Sequence, residues 1–250
     1  MNPREILAVN NHRPWPLPKS PWIMSQVWHD LLFAHWPILF EELRPLVPAS
    51  LPLDTFGGSC WLGIAPFHMS GVRLRGLPKL PGLSAFPELN VRTYVVIDEK
   101  PGVYFFSLDA ASRSAVWAAR TVYSLPYYSA KMQVKVAGDK IDYLSVRRNG
   151  AASFRGRYGP IAPVSLREHG TLEHWLTERY CLYTVRGQHA FRADVHHVPW
   201  PLQNAAADIS ENTMARSAGL TLPQIPPLLH FARRLEVLIW PLKRVRQEQQ

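Results

Sequence analysis

The sequence predicts a mainly β fold of the α+β type, a curled or closed antiparallel sheet with a few short helices. Segments that alternate apolar and polar residues recur along the chain between Gly, Pro and Asp turns. The 23 prolines and 14 glycines are spread over all 250 residues, which favours many short elements joined by turns. Since neither a linker nor an internal repeat interrupts this pattern, we expect one domain over residues 1–250.

The first elements precede the main run of strands. Residues 1–21, "MNPREILAVNNHRPWPLPKSP", form a Pro-rich lead-in, and the barrel proper is expected over residues 22–250. Residues 22–36 space their apolar side chains near the helical period, yet their length and composition also suit a strand, so the type stays open. A short helix is expected from Phe40 to Leu46, closed by prolines.

Three strands and a helix are expected next. The stretches "SCWLGIAPFHM", "NVRTYVVID" and "VYFFSLDA" read as strands, and a tight turn from Asp98 to Gly102 joins the last two. Residues 112–123 are rich in alanine and free of Gly and Pro, which predicts a helix with Asp109 or Ser112 as its cap.

The second half continues with strands. "KMQVKVAG", "DKIDYLSVRR" and "ASFRGRYG" alternate in the manner of an antiparallel meander with one buried face. A short helix is expected to start at Thr171, and a hairpin is expected to turn at Arg186–Gly187. For the last apolar stretch, a core strand from Leu235 to Trp240 is favoured over a basic membrane-binding helix.

Composition excludes several classes of function. The net charge is +9, but the basic residues are scattered without runs, which indicates a solvated surface and no nucleic-acid partner. No segment suits a bilayer span or a signal peptide, so a cytoplasmic protein is expected. Cys60 and Cys181 lie among apolar residues and are expected to be buried free thiols. No metal-ligand spacing occurs among the ten histidines, so neither metal nor cofactor is expected.

Several stretches resemble the YqjF-like family of uncharacterised bacterial proteins. They include "LFAHWPILFEELRPLVPASLPLDTFGGSCWLGIAPFHMSGVRLRGLP", "FPELNVRTYV" and "GVYFFSLDAASRSAVWAARTVYSLPYYSAKM". The resemblance runs from about Trp28 to the C-terminal "LEVLIWPLKRV". That family is grouped with acetoacetate decarboxylase-like proteins, so the resemblance implies an antiparallel β-barrel or cone around a central pocket.

The same resemblance implies site residues. The decarboxylase glutamate corresponds to Glu88, and the Gly-Arg-Glu triplet corresponds to residues 119–121, which include Arg120. The Pro-Lys-Lys motif, whose first lysine forms a Schiff base and whose second lowers the pKa of the first, becomes Pro126-Tyr127-Tyr128. Since a phenol cannot form an imine, Schiff-base chemistry is not expected here. Lys131 is the nearest lysine, and its alternation places it on the polar face of its strand.

Local reasoning extends this candidate pocket. Arg92 and Tyr94 are two residues apart on one strand and therefore share a face. Since a strand interior seldom contains an arginine unless it is paired or exposed, Arg92 is a candidate carboxylate anchor. Alternatives stay open for three residues: Tyr127 and Tyr128 could simply fill space as packed rings, and Arg120 could be an ion-pair partner of Asp109 or Glu88.

Two classes of function follow from this pocket. In the first, Glu88, Tyr127 and Tyr128 are catalytic and Arg92, Tyr94 and Arg120 bind a small carboxylate or carbonyl metabolite, in non-Schiff-base lyase, isomerase or hydratase chemistry. In the second, the same groups form a non-catalytic binding barrel. A membrane-surface or interaction role for the basic C-terminus is a weaker alternative. The sequence leaves open whether the chain forms a homo-oligomer.

Overall fold

A computed structural model describes residues 1–78, 84–112, 116 and 124–245. Within them the backbone forms a single sheet of twelve strands. The strands are β1 Met24–Ile38, β2 Cys60–Leu74, β3 Phe86–Ile97, β4 Lys100–Ala110, β5 Tyr127–Ala137, β6 Lys140–Arg147, β7 Ser153–Pro160, β8 Cys181–Arg186, β9 His189–His196, β10 Gln203–Asn212, β11 Leu228–Ile239 and β12 Lys243–Arg244.

The sheet closes on itself twice. One closure joins β9 to β11 and makes a ring of seven strands, β1, β2, β3, β4, β8, β9 and β11. The other joins β4 to β5 and makes a ring of nine strands, β1 to β7 with β10 and β11. Five strands belong to both rings, so most backbone hydrogen-bonding groups find partners and few strand edges stay open.

The double closure is possible because two of the shared strands, β4 and β11, pair with different neighbours along their length. The first half of β4 pairs with β8 at Val103 and Tyr104, and its end pairs with β5 from Leu108 to Ala110. In the same way β11 pairs first with β10 and later with β9. Strands β5 and β8 both run parallel to β4, because the long connections that precede them bring the chain back in the same direction.

Short helices decorate the sheet. They are α1 Pro3–Ala8, α2 Phe40–Leu43 and α3 Leu172–Thr177, with single 3-10 turns at Arg44–Leu46 and Arg216–Ala218. Helix α3 begins as expected, because the Thr171 side chain accepts a hydrogen bond from the His174 backbone N–H. In the described part of the chain, no helix combines the length and the apolar character that crossing a bilayer requires.

Most expected elements are confirmed, with informative exceptions. Of residues 22–36, those from Met24 onwards belong to a strand, β1, which continues through Pro37 to Ile38. The Leu235–Trp240 segment is part of strand β11 and not a membrane helix. Strand β10 was not anticipated, since its "QNAAADISEN" contains only one β-branched residue, Ile209, and no aromatic residue. The expected helix over residues 112–123 lies almost entirely outside the described residues.

The two faces of the shared strands carry separate cores. Inward residues of all seven strands of the smaller ring gather in one apolar cluster. The opposite face, together with β6, β7 and β10, forms a second cluster inside the larger ring. Both cysteines are buried and free, as expected. The fold class expected from the sequence is therefore confirmed, with two parallel pairings that it did not include.

Candidate functional site

Every second side chain of strand β3, over four positions, is polar and points into the smaller ring. Glu88, Asn90, Arg92 and Tyr94 alternate with Leu89, Val91 and Val95 on the other face, and all four polar residues are buried. Burying a polar or charged group costs free energy unless it is hydrogen-bonded or paired. Four such residues facing one interior therefore mark this face as the candidate site.

Glu88 lies at one end of this row, beside Tyr127. The Tyr127 hydroxyl donates a hydrogen bond to Glu88 Oε2 at 2.8 Å. Burial raises the pKa of Glu88 from 4.5 to about 8, against smaller opposing effects of Tyr127 and of the nearby Asn90 amide. At neutral pH this carboxyl group therefore holds a proton, as a general acid must before it reacts.

Tyr128 lies on the opposite face of β5 from Tyr127. Its ring centroid is 3.9 Å from the guanidinium carbon of Arg147, which forms a buried bidentate ion pair with Asp109. Strand alternation explains the separation, because adjacent residues of a strand point to opposite faces. The two tyrosines therefore have different surroundings, although they occupy adjacent positions of one motif.

Arg92 is buried, and no carboxylate group of the described residues forms an ion pair with it. It is only 8% exposed, its Nε atom has no hydrogen-bond partner, and it takes part in none of the ion pairs that the described residues form. Its guanidinium carbon lies 5.1 Å from the ring centroid of Phe33. Gly63 leaves room for the side chains of Arg92 and His35, since an added Cβ atom at Gly63 would lie 3.3 Å from the Arg92 side chain and 3.1 Å from the His35 side chain.

Tyr94 anchors a second polar group next to Arg92. Its hydroxyl is 2.7 Å from His35 Nε2, and its ring lies 4.9 Å from the ring of Trp175 on α3. Burial, followed by the positive charge of Arg92, holds the pKa of His35 well below its usual value, so this imidazole is neutral. Arg179 packs against Tyr94 and forms an ion pair with Asp54 at 2.5 Å.

The expected site residues thus form two groups. Glu88 and Tyr127 contact each other, whereas Arg92 and Tyr94 lie with His35 farther along β3. Arg120 lies outside the described residues. Asn90 was missed, although its position midway between Glu88 and Arg92 could have revealed it. His35 and Arg179 come from distant elements and left no signal in the sequence around β3.

A separate groove of about 360 Å³ lies on the outer face of β5, β6, β7 and β10. Its charged side chains have both signs, and within it Arg157 faces Asp142 at 3.6 Å with both side chains at least half exposed. Exposed pairs of this kind are worth little energy. The groove therefore lacks the buried unpaired cation that distinguishes the barrel interior.

No three His, Cys, Asp or Glu side chains in the described part of the chain lie close enough together to hold a metal ion. That the protein needs neither metal nor cofactor stays a prediction.

The doubly closed sheet is the fold of acetoacetate decarboxylase-like proteins. Acetoacetate decarboxylase from Legionella pneumophila superposes with a TM-score of 0.63 at 14% identity, covering 98% of each chain. The enduracididine biosynthesis enzyme MppR gives 0.64 at 8% identity, over 90% of this chain and 88% of that one. An acetoacetate decarboxylase-like enzyme from Sphingomonas wittichii RW1 gives 0.61 at 10%, over 91% and 94%. At such identities these likenesses establish the fold alone.

The chain belongs to the DUF2071 family of uncharacterized conserved proteins, whose family model matches residues 25–236. It is also 50% identical over 229 residues to the uncharacterized protein YqjF of Bacillus subtilis (strain 168), which covers 91% of this chain and 95% of that protein. The resemblance to YqjF-like proteins with an acetoacetate decarboxylase-like fold is therefore confirmed.

Proposed function

We propose that the smaller ring binds a small metabolite that has a carboxylate and a carbonyl group, with Arg92 as the anchor of the carboxylate. The observation that carries this proposal is the buried Arg92 guanidinium, which has no counter-ion among the described residues. A buried charge without a partner is costly, and a carboxylate can satisfy a guanidinium through two charge-assisted hydrogen bonds. An anionic ligand would therefore supply the partner that the described residues do not.

Glu88 and Tyr127 are proposed to transfer a proton at the other end of the site. Protonated Glu88 donates its proton to a developing oxyanion or carbanion and then, as a carboxylate, accepts a proton again. The Tyr127 hydroxyl stabilises the Glu88 carboxylate by donating a hydrogen bond to it. This suits a lyase, isomerase or hydratase without a covalent imine. All described lysines are at least partly exposed, and Lys131 lies on the exposed face of β5, so none of them suits a Schiff base.

One structural neighbour supports the ligand class. A structure of the enzyme MppR contains pyruvate, a carboxylate with an adjacent carbonyl group. It shares the fold and not the sequence of this chain, so it indicates only that a 2-oxo acid suits a barrel of this type. The second candidate function is a non-catalytic barrel that binds the same class of metabolite, favoured by the neutral, tightly packed surroundings of Glu88.

Calorimetric titration with a panel of 2-oxo acids, pyruvate included, tests the proposal. We expect Arg92→Met to weaken binding at least about tenfold, since a charge-assisted pair is lost. Arg155→Met, on the exposed face of β7, is the control and should bind normally. Equal affinity of Arg92→Met and the unmodified protein would refute the anchor.

Glu88→Gln separates the two functions. If the protein is an enzyme, this variant should keep its affinity for the 2-oxo acid and lose proton exchange at the carbon next to the carbonyl, which NMR detects in deuterated water. If the unmodified protein catalyses no proton exchange at that carbon, the result favours the non-catalytic barrel.

A further inference from the structure

Strands β5 and β10 each have one edge that stays open along most of its length. Strand β5 pairs with β4 only at residues 127–129, so among the described strands residues 130–137 pair with β6 alone. Strand β10 pairs with β11 only at residues 203 and 204, and the rest of it pairs only with β7 in the described part of the sheet. An open edge presents backbone N–H and C=O groups that a further strand can satisfy.

The two open edges are the borders of one four-stranded sheet, in the order β5, β6, β7 and β10, and a row of charges crosses its outer face. Lys135 of β5 lies opposite Asp142 of β6. Arg157 of β7 lies opposite Asp142 on one side and opposite Asp208 of β10 on the other. All four side chains are exposed. We call these four residues the charge row, which begins with a cation at the edge of β5 and ends with an anion at the edge of β10.

The opposite face of both edges is apolar. Because side chains alternate along a strand, the neighbours of Lys135 and Asp208 in sequence point to the face away from the charge row. These neighbours are Val134, Val136, Ala207 and Ile209. Val136 is 56% exposed, and the other three are half-buried. The edges of β5 and β10 therefore match each other on both faces, with opposite charges on one face and apolar side chains on the other.

We propose that the open edge of β5 binds the open edge of β10 in a second copy of this chain. Three antiparallel pairings separate the two strands within one chain, so β5 and β10 run in opposite directions. A second copy in the same orientation therefore continues the sheet as an antiparallel one.

The charge row fixes the register of this contact. With Lys135 opposite Asp208 of the partner subunit, the signs keep alternating across the boundary between the two copies, and opposite charges on facing strands stabilise a sheet. The same register covers the exposed Val136. Lysine on an open edge also opposes pairing with unrelated strands, so it restricts the partner to an acidic edge. Since each copy uses two different edges, the copies assemble head to tail.

Sedimentation velocity of the full chain at low ionic strength, over a range of concentrations, tests this proposal. We expect a mass that rises with concentration above that of one chain. Lys135→Glu and Asp208→Lys each place like charges opposite each other, so each should weaken association at least about tenfold. Lys19→Glu makes the same charge change at an exposed position of residues 1–21 and should associate normally. A monomer at every concentration, or equal association of all three variants, would overturn the proposal.

An equimolar mixture of Lys135→Glu and Asp208→Lys provides a rescue that a loss of folding cannot imitate. The first variant has an unmodified β10 edge and the second an unmodified β5 edge, so the original contact can form between them. Association should therefore return in the mixture, although each variant alone is dissociated. A mixture as dissociated as the separate variants would contradict pairing of β5 with β10.

Discussion

Arg92 and Arg147 are two buried arginines with opposite electrostatic surroundings. Arg147 donates two hydrogen bonds to Asp109, at 3.0 and 2.6 Å, whereas Arg92 forms none of the ion pairs found among the described residues. Replacing one member of a buried pair leaves the other uncompensated, but removing an unpaired charge relieves a cost. This difference between Arg92 and Arg147 is the observation at the residue scale on which the proposed binding site rests.

We predict opposite effects of two identical substitutions on stability without ligand. Arg147→Met should lower the free energy of unfolding by about 3–5 kcal/mol, because Asp109 loses its partner. Arg92→Met should leave it unchanged or raise it. Denaturant unfolding measures both, and an equally large loss for Arg92→Met would show that this side chain is structural.

The proton on Glu88 should make stability depend on pH. The folded protein keeps this proton up to a pKa of about 8, whereas the unfolded chain releases it near 4.5. The stabilisation is therefore complete below pH 4.5 and is lost as the pH rises towards 8, by several kcal/mol at roughly 1.4 kcal/mol per pKa unit. Unfolding titrations at pH 5, 6.5 and 8 should show this fall relative to Glu88→Gln.

Glu42→Gln provides the comparison for that measurement, because Glu42 is exposed on α2. It should show the same fall with pH as the unmodified protein. If Glu88→Gln also showed the full fall, Glu88 would not be the group that holds the proton.

Strand β4 is the element on which the double closure depends, because it pairs with β3 on one side and divides its other edge between β8 and β5. Close packing against β8 requires Gly102, since a Cβ atom there would lie 2.6 Å from Cys181 Sγ and 2.7 Å from the Cys181 carbonyl oxygen. Contacts that short cannot be accommodated without moving a strand.

Gly102→Ala should therefore destabilise the protein by about 1–3 kcal/mol or more. Gly156→Ala is the control, since its Cβ would meet its neighbours only at 3.3 Å and neither glycine has a positive φ. Thermal unfolding compares the two. Similar melting temperatures for both variants would mean that β8 does not pack on β4 as closely as described.

The sequence predicted the content of single elements better than the contacts between them. Two-residue alternation correctly placed Arg92 and Tyr94 on one face, because that period is a property of any strand, whereas Glu88 was a candidate only through the motif resemblance. The same rule separates Tyr127 from Tyr128, which the motif resemblance had grouped together. His35 and Arg179 reach Tyr94 from elements 59 and 85 residues away, and local sequence contains no information about such pairings.

At the scale of the whole molecule, the N-terminal segment (residues 1–21) packs against one of the two shortest strand pairings of the smaller ring. Strands β9 and β11 join through only two residue pairs, Leu238 with His196 and Ile239 with Val195. Arg13 donates a hydrogen bond to the Val195 carbonyl at 2.6 Å, and Ile6 packs against Leu238. This segment, expected to be only a lead-in, lies outside the range that the family model matches.

Arg13→Ala should weaken the pairing of β9 with β11, since it leaves the Val195 carbonyl without that donor and removes the packing of Arg13 on Tyr180. We expect faster hydrogen exchange of β9 and the end of β11, measured by mass spectrometry. The exposed Arg4→Ala on α1 should not change it. Unchanged exchange in both variants would contradict a stabilising role for the segment.

A crystal structure of the protein with pyruvate tests most directly whether the smaller ring is an anion-binding chamber. We predict the pyruvate carboxylate inside the smaller ring, within hydrogen-bonding distance of the Arg92 guanidinium. A ligand bound in the outer groove between Arg155 and Asp208, with Arg92 still unpaired, would contradict the account.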